Sequence, residues 1–155
     1  MKDDPITPAV KAALRRLFEE DIAFDKTLGV TIASFNPERP RLRFDMRPEL
    51  IGHPVRKVLH GGVIAAVLDT VGGLGLMLAI ARDHVHEDAQ AQLVRFRHLS
   101  TIDLRIDYVR PGRGAHFIAS AEVLRLGSKV AAVRMDLTND GGELIAAGSA
   151  AFVVG

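Results

Sequence analysis

The chain has 155 residues and a formal net charge of +1, from 20 basic and 19 acidic side chains. Hydrophobic residues make up 48% and charged residues 25%, which is ordinary for a globular domain and excludes a disordered or collagen-like chain. The near-neutral charge and the small aromatic content (seven Phe, one Tyr) argue against a nucleic-acid-binding surface, and the lack of cysteine excludes thiolate zinc sites and a cysteine nucleophile.

The N-terminal residues predict a first helix. Thr7 is a suitable N-cap and Pro8 is suited to the first helical position. Apolar side chains then recur at helical spacing until about residue 20. The residues before this helix are acidic and polar, unlike a signal peptide, so we expect a cytoplasmic protein with a helical extension over residues 1–27.

The middle of the chain predicts two strands, a loop and one long helix. The strands are residues 30–35 and 42–46, the loop is 47–58 and the helix is 59–82. Within that helix, residues 63–81 are interrupted by two polar side chains and approach the length of a membrane span. An acid and three glycines in this stretch favour a helix buried inside a soluble fold, so we expect no membrane partner.

The second half predicts four strands joined by short turns after a polar stretch at residues 83–98. These strands are 102–108, 117–123, 130–138 and 144–154. Apolar and polar residues alternate along 102–108, so we expect one buried and one solvated face there. The predicted fold is α+β: one domain over residues 1–155, with an antiparallel sheet of five to six strands wrapped around the long helix.

The start of the long helix carries the densest group of candidate site residues. His60, Gly61 and Gly62 precede the apolar run, and Asp69 interrupts it. Free N–H groups at a helix start can act as an oxyanion hole. A carboxylate in an apolar helix costs free energy unless a partner or a function compensates for its burial. The alternatives are structural: Gly61 and Gly62 could form a tight entry to the helix, Asp69 could be a hydrogen-bonded structural carboxylate, and His60 could cap the helix. Glycines further along this helix, at 72, 73 and 75, suggest close packing against another helix or a bound chain.

Residues 60–62 with Asp69, followed by the segment 101–111, resemble the two signatures of PaaI-like acyl-CoA thioesterases, which have the hot-dog fold. The resemblance covers about residues 28–154 in order. It implies hydrolysis of an acyl-coenzyme A thioester to free acid and coenzyme A, without metal or cofactor. It implies that the Gly61 amide polarises the thioester carbonyl, that Asp69 is the general base or nucleophile, and that Thr101 assists the attacking water.

One position departs from the family pattern. Members commonly carry Asn a few residues before the His-Gly-Gly, and the nearest counterpart here is His53. A neutral histidine donates one hydrogen bond, so we expect His53, with His60 and Gly62, to contact the substrate. Four basic residues are further candidates for the coenzyme A phosphates, or are scattered surface charges: Arg56, Lys57, Arg110 and Arg113.

The resemblance also implies a homodimer or a dimer of dimers. Gly61 and Asp69 are eight residues apart, which is about 12 Å along a helix axis, so one helix can hardly place both at the same carbonyl. Two antiparallel helices would pair Gly61 of one subunit with Asp69 of the other.

The sequence leaves two alternatives to hydrolysis. One is a hot-dog hydratase or dehydratase that uses His60 as base, and the other is a non-catalytic acyl-thioester-binding protein. Residues 84–88 also have metal-ligand side chains, although a solvated loop is the simpler interpretation.

Overall fold

The computed structural model describes residues 4–155. Part of the polar N-terminal stretch that was expected not to be a signal peptide therefore lies outside the described residues. Helix α1 (Pro8–Arg16) begins where predicted, because the Thr7 side chain accepts a hydrogen bond from the Val10 amide. It continues as a π-helical turn (Leu17–Asp21), and a second helix, α2 (Ala23–Leu28), follows. The sequence analysis missed α2. It ends at Gly29, whose φ of 73° is the left-handed conformation that glycine adopts readily.

Eight strands follow the N-terminal helices. Their bounds are β1 (Thr31–Ser34), β2 (Arg41–Asp45), β3 (Ile51–His53), β4 (Val58–Leu59), β5 (Ser100–Tyr108), β6 (His116–Leu126), β7 (Val130–Asn139) and β8 (Leu144–Val153). Six of them form one antiparallel sheet in the order β1-β2-β6-β7-β8-β5. The predicted α+β architecture is confirmed.

Helix α3 (Gly61–Asp83) crosses the sheet and packs chiefly on β6 and β7. It begins two residues later than predicted, because His60 is its N-cap. The helix is long and apolar enough to span a membrane, with a mean hydropathy of 2.2 over 18 residues, but 61% of that window is buried inside the structure. This helix is therefore the core helix of the domain, as the sequence predicted.

The glycines of α3 pack differently from one another. A Cβ at Gly72 would lie 3.0 Å from the Phe152 ring, and one at Gly75 would lie 3.3 Å from Ala121. These two glycines therefore allow close approach to the sheet rather than to another helix. A Cβ at Gly73 would meet nothing within 4 Å, so this side of the helix is open.

Two segments predicted to be irregular contain secondary structure. The loop 47–58 holds a 3₁₀ turn (Pro48–Leu50) and the β3–β4 hairpin. The polar stretch 83–98 holds α4 (Ala89–Arg95), which is N-capped by Asp88, and a second 3₁₀ turn (Phe96–His98). Few apolar residues anchor α4, so hydrophobic periodicity gave no signal. Across residues 4–155, no three His, Asp or Glu side chains group as metal ligands.

Strand β5 departs from the expected division into one buried and one solvated face. Ile102 and Tyr108 are 55% and 56% exposed, although they alternate with polar residues as a buried face would. Among the described strands β5 pairs with β8 alone, and it lies at the edge of the sheet while α3 covers the centre. Tyr108 on this edge is therefore left partly uncovered, and Ile102 lies at an irregularity of the strand between Thr101 and Asp103.

Candidate active site

The start of α3 is held by its own N-cap. The His60 Nδ1 atom accepts a hydrogen bond of 2.8 Å from the Gly62 amide. A Cβ at Gly62 would lie 2.9 Å from that same Nδ1 atom, so a larger residue would displace the cap. His60 is therefore a helix cap, one of the alternatives that the sequence left open, and the Gly62 N–H already donates to it.

The peptide between Gly61 and Gly62 is fixed at both of its polar groups. Its N–H donates to His60, and its carbonyl oxygen accepts a 3.1 Å hydrogen bond from the Tyr108 hydroxyl. Within residues 4–155, the Gly61 amide itself has no hydrogen-bond acceptor. At the first position of a helix this N–H is a free donor at the positive end of the dipole.

Gly61 lines a cavity of about 300 Å³, which we call the Gly61 cavity. Tyr108, Arg56 and Arg110 also line it. Neither Lys57 nor Arg113 belongs to its lining. The structure thus separates two of the four basic candidates from the other two.

Asp69 lies on a different cavity of about 270 Å³, which we call the Asp69 cavity. Its carboxylate is partly exposed, and Oδ1 accepts a 2.8 Å hydrogen bond from the Thr101 hydroxyl at the start of β5. Most of the wall is apolar: Phe18, Ile22, Phe24, Met77, Leu99 and Phe152. The structure therefore brings together two of the predicted site residues, Asp69 and Thr101, beside an apolar chamber.

The same cavity holds a second carboxyl group that the sequence analysis missed. Asp25 of α2 is 2% exposed, and its Oδ1 accepts a 3.1 Å hydrogen bond from the hydroxyl of Thr70. Burial raises the pKa of Asp25 above the ordinary aspartate value; the Thr70 hydrogen bond opposes this rise, and the charge of Asp69 adds to it. Asp25 follows three other acidic residues closely in the chain, so nothing in the sequence distinguishes it.

His53 is not brought to either cavity. It is exposed on β3, and its Nδ1 accepts a 3.2 Å hydrogen bond from the Arg56 amide. The described linings of the Gly61 and Asp69 cavities do not include it. The suggested exchange of the family Asn for His53 therefore gains no geometric support within one chain.

The two halves of the predicted machinery lie apart in a single chain. Gly61, whose amide is a free donor, lines the Gly61 cavity, whereas Asp69 and its hydroxyl partner Thr101 line the Asp69 cavity. Among the described residues, none lines both cavities. A donor of this kind stabilises an oxyanion, and a carboxylate of this kind accepts a proton from water.

Fold and sequence together define a class. A family profile described as the thioesterase superfamily matches residues 56–146, and the sheet wrapped around α3 is the hot-dog arrangement. The chain belongs to the thioesterase superfamily and has its hot-dog fold.

Particular relatives agree with this class. The medium/long-chain acyl-CoA thioesterase YigI of Escherichia coli is 38% identical over 141 residues, covering 90% of each chain. Acyl-coenzyme A thioesterase 13 of mouse is 30% identical, over 81% of this chain and 80% of the mouse protein. A crystal structure from Shewanella oneidensis, related to the thioesterase superfamily, superimposes with a TM-score of 0.86 at 36% identity over 96% of this chain and 99% of the other. The predictions of family, fold and acyl-CoA thioesterase function are confirmed, and the chain is a thioester hydrolase.

Proposed function

We propose that the chain hydrolyses acyl-coenzyme A thioesters with medium or long acyl chains, with Asp69 as general base and the Gly61 amide as oxyanion donor. The observation that carries this proposal is the hydrogen bond of 2.8 Å from Thr101 to Asp69 on the wall of a largely apolar cavity. The chain-length class is taken from the name of the Escherichia coli relative and suits the apolar lining of that cavity. The reaction uses no metal or cofactor and takes place in the cytoplasm.

The proposed chemistry is a single displacement by water. Thr101 donates to Oδ1 of Asp69 and leaves the other carboxylate oxygen to accept a proton from the attacking water. The hydroxyl oxygen bonds to the thioester carbon while the carbonyl oxygen gains charge opposite the Gly61 N–H. The C–S bond then breaks, and the proton held by Asp69 passes to the leaving sulfur to give free acid and coenzyme A.

The donor and the base would come from two subunits. In a helix, Gly61 and Asp69 are about 12 Å apart along the axis, too far to meet one carbonyl. The exposed apolar side chains of Ile102 and Tyr108 mark β5 as an edge suited to pairing with a second copy. Antiparallel pairing centred on β5 sets the Thr101 end against the Tyr108 end of the partner, and so sets each Asp69 cavity beside a Gly61 cavity.

The remaining candidates take supporting roles in this proposal. Arg56 and Arg110 line the Gly61 cavity and are the proposed contacts for the phosphates of coenzyme A, although one Arg110 nitrogen already donates to the Leu144 carbonyl. His60 acts on the substrate through the peptide that it and Tyr108 orient, rather than by proton transfer. Contacts from His53 and Gly62 to the substrate remain predictions.

The test is Asp69→Asn, assayed with acetyl-, decanoyl- and palmitoyl-CoA by release of free thiol. Asn keeps the size and the acceptor for Thr101 but takes no proton, so turnover should fall by roughly 10²–10⁴ while KM changes little. Asp83→Asn, which alters an exposed acid at the C-terminal end of the same helix, is the matched control and should keep wild-type activity. Turnover within a few-fold of wild type in Asp69→Asn would remove Asp69 from the mechanism.

The same assay separates the rival functions. A hydratase would change the acyl group without releasing thiol, and a binding protein would bind acyl-CoA without turnover. In heavy-oxygen water, single-turnover label should enter the product acid and not Asp69. Label found in the Asp69 carboxylate would instead indicate the anhydride route.

A further inference from the structure

The Asp69 cavity contains two carboxyl groups that differ sharply in their surroundings. Asp69 is partly exposed, whereas Asp25 is 2% exposed and lies among the apolar side chains of Phe18, Ile22 and Phe24. The two groups are linked through the chain, because Thr70, which donates to Asp25, directly follows Asp69 on α3. Each carboxyl thus accepts from its own threonine.

Two negative charges in one small apolar cavity are costly. An ionised Asp25 would be desolvated, would face the charge of Asp69, and would have the Thr70 hydroxyl as its hydrogen-bonding partner among the described side chains. No basic side chain belongs to the described lining of the cavity, and Asp69 is the other titratable group there. If the two carboxyl groups share one proton, the free energy is lower when the more buried group holds it.

We propose that Asp25 is the carboxyl that stays protonated while Asp69 acts as base, so that its charge state controls the affinity of the cavity for the acyl chain. This inference rests on the proposed function, because it takes the cavity as the acyl site. With Asp25 neutral, the wall is effectively apolar and accepts a hydrocarbon chain. Once Asp25 ionises, a fixed negative charge faces that chain, and long acyl groups should bind more weakly.

Asp25 also lies outside residues 56–146, the part of the chain matched by the family profile. The group proposed to control acyl binding therefore lies in the N-terminal helices, outside the part of the chain that the family profile matches. The segment from Phe18 to Asp25 supplies three of the apolar side chains of the wall, Phe18, Ile22 and Phe24, and the group that titrates beside them.

The test compares wild type with Asp25→Asn over about pH 4 to 9. Asn keeps the oxygen that accepts from Thr70 and fixes the side chain in a neutral state. In wild type, the KM for palmitoyl-CoA should rise several-fold with pH while the KM for acetyl-CoA stays level. In Asp25→Asn the palmitoyl-CoA KM should stay low and level. A purely structural role for Asp25 would leave the pH dependence of KM unaltered by this substitution.

A second measurement does not depend on activity. Carboxyl-carbon NMR titration of wild type, with the Asp25 signal assigned from Asp25→Asn, should show Asp25 losing its proton at higher pH than the ordinary aspartate value of about 3.9. Titration of Asp25 at or below that value, or an unchanged KM–pH profile in Asp25→Asn, overturns the proposal. A fully active Asp69→Asn would overturn the proposed mechanism, yet the titration of Asp25 would still be measured.

Discussion

Each aspartate in the Asp69 cavity accepts a hydrogen bond from a threonine hydroxyl, and the Thr101 hydroxyl orients the group assigned as base. A hydrogen bond to a charged group contributes about 1.5–3 kcal/mol, so Thr101→Val should lower kcat by about 10- to 100-fold. Thr101→Ser keeps the hydroxyl and serves as the matched control, with kcat near wild type. Equal kcat values for the Val and Ser variants would mean that this hydroxyl does not orient the base.

Asp25 carries a prediction for stability as well. Its pKa is raised by burial, so between the unfolded and folded values the native state binds more protons than the unfolded state. The free energy of unfolding therefore falls as pH rises through that window, starting near the ordinary value of about 3.9. Asp25→Asn has no carboxyl group to ionise at this position, so its free energy of unfolding should rise relative to that of wild type as the pH goes from acid to neutral. Urea unfolding of both proteins across that range measures the difference, and a difference that shrinks with rising pH would contradict a raised pKa.

The contrast between Asp69 and Asp25 shows what single residues reveal in a sequence. Asp69 stands out because a carboxylate interrupts an apolar run, which is costly without a partner or a task. Asp25 follows Glu19, Glu20 and Asp21 and resembles one more solvated acid. Its burial results from the docking of α2 on α3, a tertiary contact that local sequence does not encode.

At the scale of elements, α3 offers a matched pair of glycines. Gly73→Ala adds a methyl group into open space and removes the backbone freedom of glycine, so it should stabilise the protein by up to about 1 kcal/mol. Gly72→Ala would place its Cβ 3.0 Å from the buried Phe152 ring, so it should be less stable than Gly73→Ala and lie at or below wild type. Thermal unfolding of both variants tests this order, and a reversed order would show that the two faces of α3 are misassigned.

The elements that sequence predicted are those with a strong apolar pattern. The long helix and the six strands of the main sheet follow from runs and alternation of apolar residues. Helices α2 and α4 are short, and α4 is fixed by a cap at Asp88 and by the packing of Gln92 and Phe96. The cap joins Asp88 to Ala91, and Gln92 donates to the carbonyls of His84 and Glu87, so these contacts are local but polar and leave no apolar pattern in the sequence.

At the scale of the whole molecule, the separation of the two cavities predicts a site shared by two subunits. Asp69→Ala and Gly61→Pro should each be inactive, the second because proline has no amide hydrogen, although it is tolerated at the first helical position. A mixed dimer would hold one intact and one doubly broken site, so random exchange at equal amounts should restore about a quarter of wild-type activity. A mixture of Asp69→Ala with Asp69→Asn is the control and should stay inactive. Failure to recover activity despite proven subunit exchange would mean that each chain builds its own site.

The position of β5 in the sheet has a consequence for biosynthesis. Among the described strands it pairs with β8 alone, and β8 begins at Leu144, after β6 and β7 have been made. During translation β5 therefore has no partner strand until β8 has been made, because this non-local contact forms late. Pairing of two subunits through β5 is therefore expected to follow the synthesis of β8 rather than that of β5 itself.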